Sequence, residues 1–312
     1  MESKQDRNDI DRGLKLLVKS SYIILIGLLI SKIFTYIYNI IIARIFGPEI
    51  YGAFSLAVTF LIFFVVFSSL GFSEGLLRFI PWYRGKKEKE KIKQIISVSL
   101  SLSFFSSIFL AIIIFLFSET IAIEIFHNSE LILFLKVFSI LIPIYVFSNI
   151  FIAILQAFEE VKWYSFILNI LQNVIKVIAL FLLIFIGLHS SAIIFSYFLS
   201  IFSMLIISYL VCKYKFPQIF EKSQISKDVK KNINKEFFSY SWPFLLSGTV
   251  SIFFYWIDSF SIGYFKGITD VGLYNAAIPI VTLLTFAPEL FIKLFAPLIT
   301  REFSKNKLDV VK

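Results

Sequence analysis

Eight apolar runs govern what this chain can fold into: about 18–45, 53–81, 94–117, 131–157, 163–187, 189–212, 238–265 and 272–300. Each is long enough to cross a bilayer as a helix, which takes about 20 apolar residues. Barrel strands would instead be about ten residues of alternating apolar and polar character, whereas Phe109–Phe117, FLAIIIFLF, is apolar throughout. Hydrophobic residues make up 58% of the chain, 39 of them Phe, well above the roughly half expected of a soluble domain. The expectation is an all-α integral membrane protein with about eight transmembrane helices. The first run is too long, and lacks a small-residue cleavage site, to be a secretory signal peptide. The single cysteine, Cys212, excludes an internal disulfide and any Cys-rich metal site.

The charged residues, 16% of the total, collect between the runs. Lys4, Arg7, Arg12 and Lys15 precede the first, RGKKEKEKIK (84–93) follows the second, and Lys162 follows the fourth. Seven more fall between Lys213 and Lys235, and Arg301, Lys305, Lys307 and Lys312 close the chain. The alternate loops hold only Arg44 and Lys266, and the loop after the third run carries Glu119, Glu124 and Glu130 with no base. By the positive-inside rule both termini and every basic loop are expected to be cytoplasmic. Trp82, Trp163 and Trp242 lie at the same ends of their spans, where indoles favour the headgroup layer. The net charge of +9 therefore reports membrane orientation, not nucleic-acid binding.

The turn ARIFGPEIYGAF (43–54) returns as GYFKGITDVGLY (263–274). A shift of 220 puts Gly47 on Gly267, Gly52 on Gly272, Phe54 on Tyr274 and Ser20-Ser21 on Tyr240-Ser241. Glycine at these places permits the positive φ and the close approach of a tight helical reversal. A shift of 215 further aligns Glu74 and Arg78 with Glu289 and Lys293. Six spans lie between the start of one hairpin and the start of the other, so the second copy has the orientation of the first, which makes this a parallel repeat of the kind found in transporters. The expected organisation is an N-terminal arm (1–17), a six-helix lobe (18–212), a basic linker (213–237), and the first hairpin of a second lobe with a basic tail (238–312).

The segments IIARIFGPEIYGAFSLA, GLYNAAIPIVTLLTFAPEL and ILQAFEEVKWYSFILNIL carry a family resemblance. From about Leu14 onward the chain resembles the polysaccharide biosynthesis proteins, the lipid-linked oligosaccharide flippases of the multidrug/oligosaccharidyl-lipid/polysaccharide exporter superfamily. The resemblance implies two six-helix lobes around a central cavity, of which this chain would hold the first lobe and two helices of the second, as if truncated at its C-terminus. It also implies a prokaryotic plasma membrane, alternating access, and a polyprenyl-pyrophosphate-linked sugar as substrate. Besides membrane lipids, the implied partners are polysaccharide polymerase or glycosyltransferases.

Ionisable groups inside the runs cost at least ~2.5–3.5 kcal/mol each to insert, which marks them as candidate sites. Lys32 lies mid-run; Asn169, Gln172, Asn173 and Lys176 share one helical face. Sugars call for amides and hydroxyls, and a pyrophosphate for cations. Lys32, Arg78, Lys176, Asn169 and Asn173 are therefore the expected substrate-binding set, with snorkelling or structural hydrogen bonding as the other reading of the lysines. Glu74 with Arg78, and Glu289 with Lys293, are spaced to pair along one helix face. They either neutralise each other at a lobe surface or serve coupling and gating. Asp258 is a coupling-ion site or a structural partner for a lysine. There is no Walker loop, and His127 and His189 lack ligand spacing, so neither ATP hydrolysis nor a cofactor or metal is expected. With no extramembrane segment beyond about 25 residues, a conventional glycosyltransferase, or any enzyme, is not expected. A cation-coupled multidrug extruder and a non-transporting scaffold for polysaccharide assembly are the alternatives.

Overall fold

The structure, a computed structural model, describes residues 4–221 and 223–281. Helix α1 (Lys4–Ser69) bends at Gly47 (φ 83) into two arms, the second opening on Pro48. Pro fits the first turn of a helix because its missing N–H is one of the donors left unpaired there. Then follow α2 (Phe72–Gly85), α3 (Lys89–Thr120) with a π-helical turn at Ile121–Ile125, and α4 (Glu130–Ala157). A short α5 (Val161–Ser165) runs through a second π-helical turn, Phe166–Leu171, into α6 (Gln172–Phe185). Next come α7 (Ser191–Lys215), a 3₁₀ turn (Pro217–Phe220) and α8 (Lys227–Phe265). A final described helix, α9, spans Ile268–Val281. Among the described residues, six helical segments are long and apolar enough to cross a membrane. The first of them, bent at Gly47, supplies two crossings, and α9 begins the eighth.

One boundary differs from expectation. The second run is not one helix over 53–81: Leu70 and Gly71, with φ of 52° and 71°, break it between α1 and α2. Helix already covers most of the 1–17 arm, and α8 starts at Lys227, inside the basic linker. Lys, Glu, Asp and Gln are acceptable helix formers, and extending an existing helix costs far less than nucleating one.

Helix α4 sits at the centre of the bundle, touching α1, α2, α3 and α7. Phe134, Phe138, Leu141 and Ile142 from it are fully buried. Against it α3 sets Ser99, Ser103, Ser107 and Ala111, all buried at four-residue spacing. Small residues in such a stripe let two backbones approach closely where lipid supplies no hydrophobic drive for association. The opposite face of α3 exposes Phe105, Phe109 and Leu116, as a lipid-facing surface should.

The loops gather at the two ends of the bundle. On one, Glu160 accepts from Lys215 at 2.7 Å, Glu221 from Lys93 at 2.9 Å, and Arg84 approaches Glu159 at 3.8 Å. On the other, Asn128 Nδ2 donates to Glu49 at 2.8 Å. Four helix ends close in the same way, with Lys87, His127, Glu159 and Gly187 in left-handed conformation. The next amide reaches back across the last turn: Glu88 N to Tyr83 O, Asn128 N to Ala122 O and Glu160 N to Leu155 O, each at 2.9 Å, and Leu188 N to Leu183 O at 3.0 Å.

The second hairpin, α8 and α9, turns at Gly267 (φ 99), the counterpart of Gly47. The two hairpins meet at their turns. A Cβ on Gly52 would run into the Ile268 carbonyl, and one on Gly272 into the Pro48 carbonyl. Since Pro48 and Ile268 are also 220 apart, the contact is reciprocal, and backbone lies on backbone because neither position carries a side chain. Tyr51 adds a 3.3 Å hydrogen bond to the carbonyl of Asn275.

Candidate functional site

Beneath the paired turns lies a cavity of about 210 Å³, bounded by the first bundle on one side and by α8 and α9 on the other. The first arm of α1 contributes Thr35, Tyr38 and Asn39, which lie on one helical face. Its second arm adds Tyr51 and Ser55 at i, i+4, α6 adds Lys176 and α7 adds Tyr197. Trp256 and Asn275 close it from the second hairpin.

Phe54 organises the aromatic wall, with ring centroids 5.9 Å from Tyr38, 5.7 Å from Tyr197 and 6.2 Å from Phe138, all edge-on. Such contacts add about 0.5–1.5 kcal/mol each beyond burial and fix the rings in place. The Tyr38 hydroxyl and Ser196 Oγ share a hydrogen bond of 3.0 Å.

Lys176 is the cation of this cavity. It is 8% exposed, with Nζ 4.9 Å from the Tyr38 ring centre and 5.8 Å from that of Tyr197. Ring faces attract the ammonium but accept none of its three N–H donors in the manner of an oxygen. Among the described residues no carboxylate lines the cavity, and none forms an ion pair with Lys176. Its chemistry of one cation, phenols, amides and hydroxyls suits an anionic or sugar-like group.

The structure sorts the other expected residues differently. Asn169 and Asn173 are buried beside Lys176 but are turned toward α1. Asn173 Nδ2 donates to Ser31 Oγ at 3.0 Å, and Asn173 Oδ1 accepts from Thr35 at 3.1 Å. Asn169 Nδ2 donates to Ser165 Oγ at 3.2 Å. The Asn173 amide joins two helices, whereas that of Asn169 bonds one turn back along its own helical segment. Lys32 is half-buried on α1 and does not line the cavity.

Glu74 and Arg78 do not pair as their spacing suggested. Both are exposed on α2, and the Arg78 guanidinium lies 4.1 Å from the ring centre of Tyr240 on α8. An aromatic face from a distant segment has taken the place of the carboxylate one turn away. Asp258 is exposed and accepts from the Tyr274 hydroxyl at 2.8 Å, so its partner among the described residues is a phenol and not a lysine. Glu289 and Lys293 lie outside the described residues.

Sequence reasoning missed Tyr38, Tyr51, Phe54, Tyr197 and Asn275, since aromatic residues are scattered through every run. One signal was available: the shift of 220 that aligns the turns also puts Ser55 on Asn275, and both line the cavity.

The fold has known counterparts. An uncharacterised membrane protein of Methanocaldococcus jannaschii is 27% identical over 254 residues, covering 75% of this chain and 48% of that protein. The chain thus spans about half the length of that relative. An outward-facing multidrug resistance transporter of the MATE family, in the MOP superfamily, superposes with a TM-score of 0.66 at 17% identity, over 95% of this chain and 66% of that one. A MOP superfamily transporter from Pyrococcus furiosus, described as having a binding pocket of reversed polarity that suggests a different function, gives 0.62 at 18% identity, over 91% and 72%. These likenesses establish the all-α fold of that superfamily. The sequence profile of the polysaccharide biosynthesis proteins matches residues 17–299, and the chain belongs to that family.

Proposed function

We propose that this chain acts in a transporter that carries lipid-linked oligosaccharide, bearing a polyprenyl pyrophosphate, from the cytoplasmic to the outer leaflet of a prokaryotic plasma membrane. Both termini and the basic face are cytoplasmic in this reading, and the two hairpin turns are external. The chain performs no catalysis; polymerase or glycosyltransferases supply and consume what it moves.

The observation that carries this reading is Lys176, a buried cation in a cavity lined by the first bundle and the second hairpin, with no described carboxylate beside it. A cation extruder needs acids where its substrate rests, whereas an anionic head group needs what is found here. The reversed pocket polarity of the Pyrococcus transporter is a parallel in the same fold. Alternating access would part the walls of the cavity, α1 and α6 on one side and α8 and α9 on the other.

Protein purified from its native membranes and reconstituted in liposomes is expected to expose a labelled polyprenyl-pyrophosphate sugar to an added glycosidase. Lys176→Glu, which reverses the charge, should abolish that exposure. A wild-type protein that leaves the label protected, beside a working flippase control, would overturn the proposal. The multidrug reading draws on the MATE fold and on the exposed Asp258, held by Tyr274. It predicts dye efflux without lipid flipping, lost in Asp258→Asn.

A further inference from the structure

A second and larger cavity, about 460 Å³, opens on the basic face of the first bundle, with no lining residue from α8 or α9. Three connections wall it: those between α2 and α3, between α4 and α5, and after α7. Arg84, Lys87, Lys89, Lys93 and Lys215 line it, against one lining carboxylate, Glu160.

These cations are not equivalent. Lys215 is held by Glu160 at 2.7 Å, and Lys93 by Glu90 at 2.7 Å and Glu221 at 2.9 Å. Arg84 reaches Glu159 only at 3.8 Å, and Lys87 and Lys89 have no ion-pair partner among the described residues. Two free ammonium groups and a loosely held guanidinium therefore converge on a space already walled by neutralised pairs.

The remaining wall is apolar. Phe158 and Phe216 stack with ring centroids 4.1 Å apart, beside Ile92 and Ile219. Arg84 sits over the Phe158 ring at 6.0 Å, joining the charged part to the apolar part. A guanidinium on an aromatic face keeps its fork of N–H donors free for an oxyanion.

Two of the loops are held in unusual backbone geometry at this place. Lys87 and Glu159 carry φ of 61° and 64°, a conformation that costs a side-chain-bearing residue and is commonly given to glycine. The same left-handed ending closes helices elsewhere in the chain, and here it turns Lys87 into the cavity and brings Glu159 beside Arg84. Trp82 and Trp163, both exposed at the same helix ends, put the opening at headgroup level.

We infer that this cavity binds a phosphate group, with Lys87, Lys89 and Arg84 meeting the oxygens and the Phe158–Phe216 wall accepting an attached apolar body. An anionic lipid and free pyrophosphate share the phosphate chemistry, and they differ in use of the apolar wall. The site lies within the first bundle and stands whether or not the other cavity carries a sugar lipid.

The test is native mass spectrometry of the protein released from nanodiscs of phosphatidylcholine with and without phosphatidic acid, beside calorimetric titration with inorganic pyrophosphate. The wild type should retain phosphatidic acid over phosphatidylcholine or bind pyrophosphate. The double variant Lys87→Gln/Lys89→Gln should lower that binding by about fivefold or more. Lys86→Gln/Lys162→Gln, which removes two nearby cations outside the cavity, should leave it unchanged. Loss of lipid but not of pyrophosphate binding in Phe158→Ala identifies the lipid as occupant; pyrophosphate binding with no lipid retention identifies the free ion. Equal losses in the two double variants, or binding of neither probe by the wild type, would overturn the inference.

Discussion

A buried lysine with two ring faces beside it and no ion pair among the described residues is expensive to keep. Placing the ammonium in hydrocarbon costs ~2.5–3.5 kcal/mol, and the two cation–π contacts, at about 0.5–2 kcal/mol each, return part of it. Lys176→Met is therefore expected to raise stability by about 1 kcal/mol while flipping falls at least tenfold, measured by thermal unfolding in detergent and by the liposome assay. A destabilised Lys176→Met would make the residue a structural one. The opposite outcome is expected next door: Asn173→Ala should cost about 1–2 kcal/mol, because Ser31 and Thr35 on α1 lose their partner. A double-mutant cycle with Ser31→Ala should show coupling, and additivity would refute that contact. The polar face from Asn169 to Lys176 was legible from spacing alone. How its members divide between joining helices and lining a cavity was not, since that depends on where α1 lies.

At the scale of the elements, hydrophobic length and turn glycines revealed most of the architecture. The bends at Gly47 and Gly267 were written in the sequence because those turns need positive φ. The break at Leu70–Gly71 was not read, although Ser68, Ser69 and Gly71 mark the place, because the run is long enough for one span and the break puts a leucine where glycine would be usual. The Arg78 contact was equally hidden, since Tyr240 is far away in sequence and competes with a carboxylate one turn distant. Gly52→Ala and Gly272→Ala should each destabilise by about 1–3 kcal/mol, because the new methyl meets a carbonyl that cannot yield without moving a helix. The double variant should cost less than the sum, as both act on one contact, and unfolding curves of the three variants would settle it. Additive costs would mean two separate contacts.

For the whole molecule, alternate loops gather on two faces, and the ion pairs among Arg84, Glu159, Glu160 and Lys215 hold loops of the basic face to one another. Cys212 is buried, with its thiol 3.5 Å from the Phe151 carbonyl, so the wild type gives a silent background for thiol labelling. A membrane-impermeant maleimide is expected to label His127→Cys in intact cells and Lys162→Cys only after permeabilisation. The reverse pattern would invert the proposed orientation and require the substrate to move the other way.

The reciprocal meeting of the two turns carries a consequence for ancestry. When residue i of one subunit meets j of its twin, and j meets i, the contact is isologous, the signature of a two-fold dimer. Pro48 with Gly272 and Ile268 with Gly52 have that form inside a single chain. The cavity would then have begun as the seam of a homodimer, in which one mutation altered both walls at once. Fusion of the genes would have freed each wall to change alone, so that Ser55 on one side and Asn275 on the other would occupy what was once a single position, and the seam could hold one lysine off centre.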